Sequence, residues 1–130
     1  MKKLVFMFMA LLFSFGTVSA QTVQAHTEYT KYTGKIGPHA VTLYLNIREE
    51  VGNVAGYYYY DARPQSKFTL KLVKNEPSLG GFNRVELKEY TAKGNHTGTF
   101  RGDVVSRGDG FSGVFTTKKG KKYKFELMEE

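Results

Sequence analysis

The chain has 130 residues, with 19 Lys and Arg against 12 Asp and Glu and a formal net charge of +7. That length suits one domain and not two. There is no cysteine, which excludes disulfides, zinc–thiolate sites, cysteine nucleophiles and the lipidated cysteine of a bacterial lipoprotein.

Met1-Lys2-Lys3 is a short basic segment, and Leu4 to Phe15 is apolar except for Ser14. Gly16-Thr17-Val18-Ser19-Ala20 follows, with Val18 and Ala20 at the spacing a signal peptidase reads. A secretory signal peptide over residues 1–20 is expected, cleaved after Ala20, with Ala25 as the alternative. The apolar run is too short to serve as a comfortable membrane anchor. The expected product is a soluble bacterial protein, periplasmic or secreted, with no stable membrane insertion once the signal is removed. Losing Lys2 and Lys3 leaves 17 basic residues against 12 acidic ones, or about +5. Such an excess favours anionic partners, although it also serves solubility alone.

Residues 21–27 read as a polar lead-in, and a single domain is expected over residues 28–130. From Tyr29 onward apolar and polar residues alternate between turn signals, and no window shows a helical period. The first strand is placed at Glu28–Ile36, with Tyr32, Gly34 and Ile36 on one face, and Gly37-Pro38-His39 turns the chain. The second, Ala40–Ile47, sets Val41, Leu43, Leu45 and Ile47 against Thr42, Tyr44 and Asn46. The third, Val54–Tyr60, holds four consecutive tyrosines. Parity sends Tyr58 and Tyr60 inward and Tyr57 and Tyr59 outward. The fourth, Lys67–Val73, turns Phe68, Leu70 and Leu72 inward. Lys74 to Asn83 is then expected to be the longest connection, a candidate flap. The fifth strand, Arg84–Tyr90, turns Val85 and Leu87 inward. Glu89 shares their parity but sits near the strand end, where a rim position is expected rather than a buried acid. The sixth, His96–Val105, carries Phe100 and Val104 on one face. The seventh, Phe111–Thr117, carries Phe111, Gly113 and Phe115. The eighth, Lys121–Met128, carries Tyr123, Phe125 and Leu127.

Eight evenly spaced strands with short loops predict an all-β antiparallel up-and-down meander that closes into a small barrel. A two-sheet β-sandwich is the alternative. Glycines inside Gly56-Tyr57-Tyr58, Gly98-Thr99-Phe100 and Gly113-Val114-Phe115 fit a strongly coiled barrel, where rings fill the space beside a missing side chain.

The segments Tyr32-Thr33-Gly34-Lys35, Val41-Thr42-Leu43 and Val54-Ala55-Gly56-Tyr57-Tyr58, followed by Gly98-Thr99-Phe100 and Phe111-Ser112-Gly113, resemble avidin-like and lipocalin-like exported barrels. The resemblance implies a barrel whose mouth receives Tyr58. Avidins wall their biotin site with tryptophans, and this chain has none, so the resemblance implies the architecture and not biotin binding.

Catalytic constellations are scarce. His26, His39 and His96 show no metal-site spacing. Ser106, His96 and Asp103 lack a nucleophile motif. Asp61, Glu86 and Glu89 are the carboxylates from which a glycosidic pair would have to be drawn. Arg101-Gly102-Asp103 and Arg107-Gly108-Asp109 match an adhesion tripeptide that turn composition also produces. The expectation is therefore a non-enzymatic binding protein with no catalytic residue, metal or cofactor. Its candidate ligand residues are Tyr58, Tyr60, Phe100 and Tyr123, for a small apolar ligand or an anionic envelope component. The alternative is an inhibitor or immunity protein that binds a hydrolase or toxin, with an acidic protein as the favoured partner. Its candidate surface is Tyr44, Tyr57, Tyr59, Lys122 and Lys124, the two lysines lying in the run Lys118, Lys119, Lys121, Lys122 and Lys124. Nucleic acid is not expected as a partner of an exported chain.

Overall fold

The computed structural model describes residues 28–105 and 110–130. The expected signal peptide, the lead-in with His26, and the second adhesion-like tripeptide with Ser106 lie outside the described residues. The described strands are β1 (Thr30–Ile36), β2 (His39–Leu45), β3 (Val54–Tyr60), β4 (Phe68–Pro77), β5 (Phe82–Tyr90), β6 (His96–Val105), β7 (Gly110–Thr117) and β8 (Lys122–Glu129). Each pairs antiparallel with its chain neighbour, and β8 returns to pair with β1, closing the barrel. Closure leaves no exposed sheet edge. The meander expectation holds, and the sandwich does not form.

Strict alternation sets the faces. Val41, Leu43 and Leu45 of β2, Leu70 and Leu72 of β4, and Val85 and Leu87 of β5 are all buried inside. Tyr58 is fully buried, while Tyr57 and Tyr59 lie on the outer side and are half-buried. The middle of the barrel is filled by rings. Phe100 lies 4.7 Å from Phe115 and 5.2 Å from Phe125, and Phe111 lies 4.8 Å from Phe125, centroid to centroid. Tilted and edge-on ring pairs of this kind add about 0.5–1.5 kcal/mol each beyond the area they bury.

Two local departures matter. Gly56 lies where a Cβ would strike the carbonyl oxygen of Tyr44 and the backbone of Leu45. Only a missing side chain allows β2 and β3 to coil this tightly. On β4 the register shifts between Leu72 and Lys74, so Val73 has no partner on β5. That bulge reverses the parity and carries the strand on to Pro77. The expected long flap therefore does not exist: only Ser78 to Gly81 separates β4 from β5. Lys74-Asn75-Glu76 reads as loop because the bulge turns a polar residue inward. Asn75 faces Val85 across the ladder, and its amide is satisfied by the Ile47 carbonyl at 2.8 Å and by Asn83 at 2.8 Å.

In a meander, alternate turns share an end. The β1–β2, β3–β4, β5–β6 and β7–β8 turns stand together at one end, and the β2–β3 and β4–β5 turns stand at the other with the two ends of the barrel domain. The β1–β2 turn is tight, with Gly37 at φ 58°, a conformation other residues adopt at a cost.

Candidate binding cavity

At the end carrying the β1–β2 and β3–β4 turns, the core stops short of the rim. A cavity of about 570 Å³ opens there, lined by Ile36, His39, Tyr60, Phe115 and Tyr123, with Arg63 and Thr117 at its edge. β3 ends at Tyr60, so its inward ring lies at the mouth while Tyr58, two residues earlier, lies beneath. The Tyr60 ring meets the Tyr58 ring edge-on at 5.7 Å and the His39 ring edge-on at 5.8 Å. A larger opening, about 770 Å³, lies at the opposite end. Its lining runs up to Glu28 and Val105, which border the undescribed segments, so the cavity at the Tyr60 end is the one whose walls are fully seen.

Below that cavity sits a buried acid. Glu89 is only 4% exposed, contrary to the rim position that its place near the end of β5 suggests. The cause is a second bulge. Glu89 pairs with Gly98, but Tyr90 pairs with His96, so Thr97 is extra. The Thr97 hydroxyl donates to Glu89 Oε1 at 2.6 Å, and the Tyr58 hydroxyl donates to Glu89 Oε2. Gly98 supplies the room, since a Cβ there would run into the Phe115 ring and come within 3.2 Å of Glu89 Oε1. Burial raises the Glu89 carboxyl above its usual range, against the pull of the hydroxyl groups of Thr97 and Tyr58 and of nearby His96. Burial, reinforced by the Glu89 charge, raises Tyr58 strongly, so its phenol remains protonated. Buried polar groups need their partners, and both Glu89 oxygens have one.

Of the residues expected to meet a ligand, Tyr60 and Tyr123 line the cavity, while Tyr58 and Phe100 are fully buried in the packing behind it. Ile36, His39, Arg63 and Phe115 were not expected there. The inward parity of Ile36 and Phe115 pointed to the core, where they are buried, and their position along the barrel axis makes them part of the cavity wall as well. Of the expected partner surface, Tyr44 and Tyr57 stack at 4.9 Å on the outer face, and the Lys67 ammonium lies 5.3 Å from the Tyr59 ring centre. Lys122 and Lys124 are exposed on β8, which β1 separates from β2.

The catalytic combinations do not assemble. His96 and Asp103 stand at opposite ends of β6, and Asp103 pairs with Arg84 at 3.2 Å. Glu86 pairs with Arg101 at 3.1 Å, and Asp61 accepts the Thr42 hydroxyl at 2.7 Å, so neither faces Glu89 as a working pair. Arg101-Gly102-Asp103 is held in a strand by these cross-strand contacts rather than offered on a loop. Among the described residues no group of three or more His, Cys, Asp or Glu could hold a metal ion. In comparisons with known proteins, no family model, curated protein or solved structure matches the chain.

Proposed function

We propose that the chain is an exported, non-enzymatic binding protein that takes a small ligand into the cavity at the Tyr60 end of its barrel. The observation that carries this reading is an aromatic-walled opening of about 570 Å³ above an otherwise solid core. Its size falls within the range of small-molecule sites, roughly 300–1,000 Å³. Tyr60, Phe115 and Tyr123 supply apolar contact, while His39 and Arg63 supply the few polar groups that orient a guest. Export rests on the basic, apolar and small-residue succession of residues 1–20.

Native mass spectrometry of the protein purified from the periplasm of a bacterial host tests the ligand. The expected result is a bound small molecule that is lost in a Tyr60→Ala/Tyr123→Ala variant of unchanged fold. Consistent absence of any adduct, together with no response to a panel of small amphiphiles, refutes the reading. N-terminal sequencing of the same material tests cleavage after Ala20.

A second reading draws on the outer face. Tyr29 meets Tyr57 edge-on at 5.6 Å beside the Tyr44–Tyr57 stack, forming an aromatic ladder across β2 and β3. Tyrosines of this kind suit a protein interface, and an exported inhibitor would use them. Loss of partner binding on Tyr44→Ala/Tyr57→Ala, with the cavity variant unaffected, distinguishes it.

A further inference from the structure

We infer that the guest of the Tyr60-end cavity is an amphiphile with one anionic group, inserted apolar end first with its charge held at the rim. This deepens the binding reading above and rests on it.

The meander sorts the charges of the chain by end. The turns around the cavity carry Arg63, Lys67, Lys93, Lys118, Lys119 and Lys121 against the single carboxylate of Asp61. Asp61 is already engaged by the Thr42 hydroxyl. Among the described residues, the opposite end gathers Glu28, Glu49, Glu50, Glu129 and Glu130, with Arg48 in the same turn as Glu49 and Glu50. The ion pairs among the described residues are Lys31–Glu130, Arg84–Asp103 and Arg101–Glu86. None of them involves a cation of the cavity turns. A ring of like charges left without counter-charges repels itself and focuses a positive potential on the opening it surrounds.

One of these cations lines the cavity and a second lies against a ring of its wall. Arg63 lines it, and the Lys121 ammonium lies 5.4 Å from the ring centre of Tyr123, another lining residue. Lys67 turns away, bonding the Pro64 carbonyl at 3.0 Å and lying over Tyr59. Behind Tyr60 the polarity reverses. Glu89, the one buried acid among the described residues, has both oxygens occupied by Thr97 and Tyr58. An anionic group pushed inward would meet rings and then a carboxyl whose two oxygens are already engaged by Thr97 and Tyr58. An anionic group at the rim meets Arg63, with Lys121 close by beside Tyr123. The same field works against cationic guests.

Isothermal titration of the purified protein with three probes of one shape tests this: 1-naphthalenesulfonate, 1-naphthol and 1-naphthylmethylammonium. At low salt the sulfonate is expected to bind about tenfold more tightly than the naphthol, the gain open to two partly exposed charge contacts. The ammonium should bind most weakly. The advantage of the sulfonate should shrink in 0.5 M salt, where the Debye length falls to roughly 4 Å. It should vanish, measured as the sulfonate-to-naphthol ratio within the same variant, in Arg63→Gln/Lys121→Gln, whose melting temperature should stay put because both side chains are exposed. Equal affinity for sulfonate and naphthol, or preference for the ammonium, overturns the anion inference while leaving a binding cavity standing. A sulfonate preference that survives the double substitution overturns it too, by placing the anion elsewhere. Failure of all three probes to bind removes the inference and the binding reading together.

Discussion

Removing the Tyr58 hydroxyl tests the structure where it is most tightly built. Tyr58→Phe keeps the ring, its stacking on Phe68 at 5.1 Å and its edge contact with Phe100 at 5.3 Å, and deletes the hydroxyl that donates to Glu89 and also meets the Tyr60 hydroxyl. Both partners are buried, so no water replaces the lost bond. A hydrogen bond to a charged acceptor contributes about 1.5–3 kcal/mol and one between neutral groups about 0.5–1.5 kcal/mol. The cost should therefore depend on the charge of Glu89. Its carboxyl lies above the usual range, so it is neutral at pH 4 and ionises as pH rises through that raised value. Urea unfolding followed by far-ultraviolet circular dichroism should show a loss of about 2 kcal/mol at pH 8 and about 1 kcal/mol at pH 4. In a barrel of this size the larger loss corresponds to roughly 10 °C in melting temperature. An identical cost at both pH values, or none at either, would refute a buried, titrating Glu89 bonded to Tyr58.

Two further outcomes follow from the same cluster. Glu89→Gln can still satisfy Thr97 and Tyr58, because an amide both accepts and donates. A raised carboxyl contributes stability that is whole below the unfolded glutamate range, about pH 4.3, and is lost as pH climbs through the folded value. Melting curves across pH 4–8 should thus show the Gln variant gaining on the native protein as pH rises; parallel curves would contradict the burial of Glu89. Gly98→Ala drives a methyl group into the Phe115 ring and toward Glu89. It should cost about 1–3 kcal/mol by overpacking, read as a lower urea midpoint, and an unchanged midpoint would mean that the ring has room to move.

Much of the barrel was legible in the sequence because a strand has a period of two. The alternation of β2, the tyrosine run of β3 and the apolar positions of β6 to β8 each settle which side chains face in, and short turns between neighbours favour a meander. The reading failed where that period breaks. The bulge at Val73 hides the second half of β4 behind Lys74-Asn75-Glu76, and the bulge at Thr97 turns a hydroxyl onto Glu89 and makes a buried acid of a residue near a strand end. A bulge is set by how two strands coil against each other, and no local residue pattern announces it.

The candidate site divides in the same way. Sequence alone determined that Tyr58, Tyr60, Phe100 and Tyr123 belong inside, since parity is a property of each strand by itself. Depth along the barrel axis is not such a property, because it depends on the register between strands far apart in the chain. Only the closed structure decides that Tyr60 and Tyr123 reach the mouth, that Tyr58 and Phe100 lie sealed beneath it, and that Ile36, His39 and Phe115 help to wall the cavity. The basic turns were visible as residues from the start. Their gathering around one opening, away from the acids of the β2–β3 turn and of the two ends of the barrel domain, follows from antiparallel topology, which returns every second turn to the same end.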